Sequence, residues 1–193
     1  MREKDTAKAK TIIDQVGHII LEEGISNVSM SRIAKASGIS SSTIYVYFAD
    51  KEDVLKQVYL ANKQGLADYL AEHVDQNISD AVAYVRAFMT AVYDFGQTHY
   101  DALMIIDQFN HSPLLAHLAV SEAESFAGFE PLFARVKQAP SGTFQAVDPL
   151  VLLSFGYAPV VMYLQAIKRR QLDADATTID QVVTMCLNAM QQH

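Results

Sequence analysis

The sequence predicts an all-α chain in two parts, a helix-turn-helix head at residues 1–52 and a larger helical body at 53–193. Three observations carry that prediction. Apolar residues recur at the 3.6-residue period of a helix through most of the chain, and no segment alternates at the two-residue period of a strand. Ser, Thr or Asp, twice followed by Pro, stand where those periodic segments begin, as helix caps should. Half of the 193 residues are hydrophobic, enough to bury a sizeable core.

Residues 28–48 have the most defined local logic. Ser29 is suited to cap a helix, because its hydroxyl can accept from an orphan N–H of the first turn. Val28 before it and Ile33 after it stand where a hydrophobic staple needs them. Gly38 can take the left-handed conformation that ends a helix. The pattern then repeats, with Ile39 before the cap Ser40 and Ile44 closing the staple. Two stapled starts eleven residues apart, with a glycine between them, describe a helix-turn-helix. A third start follows at Asp50, with Asp53 at its third position.

The remaining elements follow in order. A long helix is expected from Asp50 to about Gln76 on Val54, Leu55, Val58, Leu66, Leu70 and Val74, with Gly65 as a possible bend. Another starts at Ser79 and carries Val82, Val85, Phe88, Met89 and Val92. A short one spans Tyr100 to about Asn110. Ser112-Pro113 opens a helix expected to reach Gln138, bent or broken near Gly128 and Pro131. Residues 139–143 read as a loop. Asp148-Pro149 opens a helix to about Arg170 that Pro159 should kink, with Lys168, Arg169 and Arg170 in its last turn. Thr177 or Thr178 caps the last helix.

The second helix of the head, after Ser40, carries Ser41, Ser42, Thr43, Tyr45 and Tyr47 within about two turns. A helix that only filled a core would not hold so many hydroxyls, which are groups that contact phosphates. On Ile33-Ala34, Ser37-Gly38-Ile39-Ser40, Thr43-Ile44-Tyr45, Tyr47-Phe48 and Lys51-Glu52, with Ile12, Val16, Ile20 and Gly24 upstream, the sequence resembles the tetracycline-repressor (TetR) family of transcriptional regulators. The likeness covers roughly residues 8 to 60. It departs from the family at Ser42, where Gly is usual, and at Val46, where an aromatic or polar residue is common.

The resemblance implies a three-helix DNA-binding head joined to a helical body that binds a small effector and dimerises. Homodimers would meet the two half-sites of a palindromic operator on double-stranded DNA, and repression is the expected output. Thr43, Tyr47, Lys51 and the helix start at Ser29 are expected at phosphates. Ser41, Ser42, Tyr45 and Arg32 are expected at base edges, with Ser40 capping the helix that carries them. Residues 1–51 hold seven Lys and Arg against six Asp and Glu, a net +1, which leaves −8 for the rest of a chain of net charge −7. The head is therefore nearly neutral, and specificity should rest on paired geometry more than on charge.

The body offers an aromatic and Met-rich set for a largely apolar effector: Phe88, Tyr93, Tyr100, Met104, Phe109, Phe126, Phe129, Tyr157 and Met162. The last two helices are apolar over most of their circumference, and Leu153, Val160, Val161, Leu164, Val183 and Leu187 are expected at the dimer interface. A rival reading takes Asp107, His111 and His117 as ligands of a metal-dependent hydrolase, or as part of a ligand-binding protein. No nucleophile elbow, P-loop, glycine-rich dinucleotide turn or HExxH accompanies them. No enzyme activity, cofactor or resident metal is expected. The single Cys186 excludes an intrachain disulfide and reads as a buried thiol. No apolar run of about 18 residues and no leader-like segment is read in the sequence, so a cytoplasmic chain with no membrane partner is expected.

Overall fold

The computed structural model describes residues 6–192, so Arg2, Glu3, Lys4 and Asp5, which count toward the charge of the head, lie outside them. Ten α-helices account for most of the described residues: α1 Thr6–Glu23, α2 Met30–Ser37, α3 Ser41–Tyr47, α4 Lys51–His73, α5 Ala81–Thr98, α6 Tyr100–Asn110, α7 Glu122–Ser125, α8 Glu130–Gln138, α9 Pro149–Lys168 and α10 Ile179–Met190. Among the described residues there is no strand, only one isolated antiparallel bridge between Phe144 and Gln191.

The chain divides into two compact units. The first runs to Gln64 and adds Asp101–Ser125, and so extends beyond residue 52 to take in the first half of α4 and nearly all of α6. Its core joins Ile12, Val16 and Ile20 of α1, Ile33 of α2 and Ile44 of α3 to Leu55, Leu103, Ile106 and Phe109. Gly17 lets α1 approach α6 closely, since a Cβ there would stand 3.0 Å from Ile105 Cδ1. Tyr59 lies 5.3 Å from the Phe109 ring and donates its hydroxyl to Asn110 Oδ1 at 3.2 Å. Lys56 donates to the Ala119 carbonyl at 2.9 Å and pairs with Glu124 at 3.1 Å, which ties residues 119–124 to α4.

The second unit comprises Gly65–Tyr100 and the chain from Phe126 onward. There α5, α9 and α10 pack against one another around Phe88, Val92, Val160, Leu164, Val183 and Leu187. Gly128 (φ +82°) is required twice over: a Cβ would be 2.3 Å from that of Ala67. Arg86 clamps the start of α10 through Asp180 at 2.7 Å and Thr184 at 3.2 Å. The Thr178–Gln181 capping box opens α10.

Three expectations need correction. The segment 112–138 is not one helix. Ser112 and Pro113 open only a 3-10 turn to His117, Ala119 takes a positive φ of 48°, and α7 and α8 follow as separate pieces around Gly128. The cap of α5 is Asp80 rather than Ser79, its carboxylate accepting from Ala83 N at 2.7 Å. The membrane-length reading also changes: α9 has a mean hydropathy of 1.8 over a span-length window and is long and apolar enough, by length and composition, to cross a bilayer. Ser154, Gly156 and Pro159 interrupt the run to the eye without adding charge. Its Val160, Val161 and Leu164 pack inside the second unit, as in the core helix of a globular body. Cys186 is buried, and burial pushes its thiol pKa up.

Candidate nucleic-acid interface

The head forms as its caps dictate. Ser29 Oγ accepts from Arg32 N at 3.3 Å, Val28 and Ile33 are buried, and Gly38 closes α2 in the left-handed region at φ 65°. Ser40 Oγ accepts from Thr43 N at 3.2 Å and lies 2.8 Å from Thr43 Oγ1 and 2.9 Å from Ser42 Oγ. Ile44 is fully buried and Phe48 nearly so, which fixes one side of α3 to the core. The opposite side carries Ser41, Ser42, Tyr45 and Val46, all exposed, with Tyr45 at 55% and Val46 at 58%. Thr43 and Tyr47 are half-buried at the edges of this face. At the entrance to α4, Asp50 Oδ1 accepts from Asp53 N at 2.8 Å and Asp53 Oδ2 from Ala49 N at 2.9 Å, holding Lys51 in the first turn.

Two residues differ from expectation. Arg32 does not extend freely from α2. Its guanidinium is bound by Glu23 at the end of α1, with Arg32 Nε donating to Glu23 Oε2 at 3.2 Å and a second bond from Nη2 to Oε1. That pair lowers the Glu23 carboxyl pKa, chiefly through the hydrogen bond from Arg32, and raises that of Arg32. Arg32 braces α1 against α2. Val46, a departure from the family pattern, is the most exposed large apolar residue of α3. The sequence signal for it was phase: Val46 stands two positions from both Ile44 and Phe48, on the side turned away from the core.

The body residues also sort differently. Val160, Val161, Leu164, Val183 and Leu187 are buried within the single chain, with Val160 at 0% exposure, and Leu153 is half-buried. Packing with α5 uses them, so they are not an external face. The exposed large apolar side chains of the body are Val147 and Leu150 at the entry to α9, Val151, Phe155 and Met162 on one side of α9, with Met162 at 68%, and Met185 of α10 at 70%. The nine residues expected around an effector fall into both units: Met104 and Phe109 belong to the first, the other seven to the second. Phe129 packs on Phe88 at 5.6 Å, Tyr93 on Tyr163 at 5.9 Å and Phe126 on Phe133 at 5.5 Å, as a plain aromatic core. The Tyr100 ring lies 5.4 Å from Lys168 Nζ, and Tyr157 is half-buried on α9. Of the nine, only Phe88 lines the apolar crevice of the second unit, between α5, α8, α9 and the loop before α9. Asp107 and His111 do meet, at 3.3 Å, but no group of three His, Cys, Asp or Glu gathers among the described residues, and the metal-site alternative lacks its third ligand.

Residues 12–58 match the family described as bacterial regulatory proteins, tetR family. An HTH-type transcriptional regulator of Staphylococcus aureus (strain USA300) is 42% identical over 52 residues, 26% of this chain and 28% of that protein. The match therefore spans about a quarter of the length of such curated relatives. Over the full length, the fold is that of a TetR-family transcription regulator from Marinobacter aquaeolei VT8, at TM-score 0.81 and 20% identity with complete coverage of both chains. A putative transcription regulator from Lactobacillus plantarum superposes at TM-score 0.75 and 24% identity, covering 96% of this chain and 99% of that one. Residues 12–58, which hold the capped head, thus match the tetR family of bacterial regulatory proteins, and the full-length likenesses show that the whole chain shares the fold of such regulators.

Proposed function

We propose that the protein is a DNA-binding transcriptional regulator that acts as a homodimer and releases its operator when a small effector binds the body. The observation that carries this is the outward face of α3. A helix of seven residues, capped and pinned by Ile44 and Phe48, presents Ser41, Ser42, Tyr45 and Val46 to solvent. Hydroxyls and one short apolar side chain suit base edges and thymine methyls in a major groove. Thr43, Tyr47, Lys51 and the start of α2 at Ser29 flank that face at positions suited to phosphates.

Two such helices must meet two half-sites roughly 34–36 Å apart or further, which requires a dimer. The stripe Val151, Phe155 and Met162, with Met185, is the surface we assign to it, because exposed apolar residues that share a face mark contact sites. Release then needs only an effector with different affinities for two spacings of the heads. Selection of bound DNA from a random pool tests the reading. A recovered inverted repeat supports it, and no enrichment over competitor DNA refutes it.

A further inference from the structure

The two most exposed large apolar side chains among the described residues are both methionines, Met162 of α9 and Met185 of α10. Methionine is ordinarily among the more buried residue types. Elsewhere in the described chain it follows that rule: Met89, Met104 and Met190 are buried and Met30 is half-buried. The surface assigned to the dimer contact holds both exposed thioethers, and the Val151 and Phe155 side chains that share it carry no sulfur. The thiol of the chain is closed off. Cys186, beside Met185 in sequence, is buried, and its raised pKa keeps it in the thiol form, a poor nucleophile toward oxidants. An oxidant in solution therefore meets thioether sulfur and not thiolate.

Oxidation at these two positions reverses what the surface needs. The sulfur lone pair attacks one oxygen of a hydroperoxide, so an S–O bond forms and the O–O bond breaks. The hydroxide released takes the proton from the new S–OH group and leaves as water. Sulfur has lost two electrons and the peroxide has gained them. The product sulfoxide is polar, and methionine sulfoxide reductases return it to the thioether. An apolar contact offers the S–O group no hydrogen-bond donor, so the burial that favours the thioether opposes the sulfoxide. In a two-fold dimer each modified position counts twice.

We infer that Met162 and Met185 form a reversible oxidation site through which hydroperoxides separate the dimer. The oxidant reaches both sulfurs while protomers are apart, and the sulfoxides then keep them apart. This rests on the reading that the α9 and α10 surface is the dimer contact, and it names a chemical signal that acts there.

The test uses the full chain without DNA, so that its outcome is independent of operator binding. Protein at several concentrations is treated with hydrogen peroxide, mapped by peptide mass spectrometry and sized by sedimentation. Oxygen should be added first at Met162 and Met185, with Cys186 unmodified. The dimer dissociation constant should rise roughly tenfold or more and recover after incubation with methionine sulfoxide reductases and dithiothreitol. Sulfoxide formation at the two sites should slow as rising protein concentration fills the dimer. Met162→Leu with Met185→Leu, compared with its own untreated sample, should shift by less than about twofold, because leucine keeps the volume and has no sulfur. Untreated wild type that is monomeric at every concentration refutes the dimer reading itself. A dimer that persists with both sulfoxides formed, or one that dissociates equally in the leucine variant, overturns this proposal alone.

Discussion

Arg32 and Lys51 make opposite predictions although both are cations of the head. Each phosphate contact neutralised by a cation contributes about 0.9 to the slope of log affinity against log salt. Between 50 and 200 mM salt, one such contact therefore changes affinity by roughly 3.5-fold. Lys51 stands in the first turn of α4 beside the exposed face of α3, with only a 3.7 Å approach to Glu52 competing for it. Lys51→Ala should lower the slope by about one unit, and its deficit should shrink roughly 3.5-fold over that salt range. Arg32 is occupied by two hydrogen bonds to Glu23. Arg32→Ala should leave slope and base preference unchanged and instead loosen α1 from α2. Glu23→Gln should do the opposite electrostatically, freeing a guanidinium and steepening the slope. The pair also has a pH signature. The Glu23 carboxyl is depressed in the folded chain, so its contribution to stability is full above the ordinary value of 4.5 and is lost as pH falls through the lowered folded value. Fluorescence anisotropy with operator DNA at four salt concentrations, with melts at pH 7 and pH 3.5, covers all these points. A changed base preference in Arg32→Ala would refute the assignment of Arg32 as a brace.

Ser40→Ala removes the cap of a seven-residue helix and should cost about 1 kcal/mol by denaturant titration, with Ser40→Asp recovering most of it. Met162→Glu with Met185→Glu should dissociate the dimer at micromolar concentration in sedimentation, leaving the melting of the body little changed. Val160→Ala should instead destabilise the protomer by about 2 kcal/mol without selective dissociation, because it opens a cavity inside the chain. Lys63 is buried on α4, and burial lowers its pKa to about 8. The unfolded chain then binds more protons between about pH 8 and 10.4, so stability should rise with pH across that window by on the order of 3 kcal/mol relative to Lys63→Met.

What the sequence disclosed, and what it hid, follows the range of the interactions. The caps at Ser29 and Ser40 and the Gly38 turn are local, with each partner within five residues, and all of them form. The Arg32–Glu23 pair crosses a turn nine residues wide, and nothing in residue order marks Glu23 rather than solvent or DNA as the partner. In α9 the difficulty was phase. A helix apolar on nearly every side does not say which stripe α5 and α10 will cover, and the covered one proved to hold Val160, Val161 and Leu164. The crevice was missed for a related reason. Aromatic residues that pack against each other, such as Phe88 with Phe129, stand out in the sequence, whereas the crevice lining is mostly aliphatic and includes Phe144, from a segment with no periodicity at all.

Val46 bears most directly on specificity in a head with almost no net charge. Serine hydroxyls accept and donate with little preference among bases, so Ser41 and Ser42 can place α3 but discriminate weakly. Tyr45 and Val46 are what remains on the exposed face, and of the two only Val46 lacks a polar group. An exposed valine on a major-groove helix recovers free energy by covering another apolar group, and the thymine C5-methyl is the one apolar group the groove displays. Burying one methyl is worth about 0.8 kcal/mol, roughly a fourfold change in affinity. Replacing thymine by uracil removes that methyl and leaves every hydrogen-bonding group in place. Wild-type protein should therefore lose roughly fourfold in affinity at one thymine per half-site when it is replaced. Val46→Ala should lose affinity for the thymine site and become indifferent to the replacement. Equal sensitivity of the two proteins at every thymine would assign the valine to mere exposure and return base discrimination to Tyr45 and DNA shape.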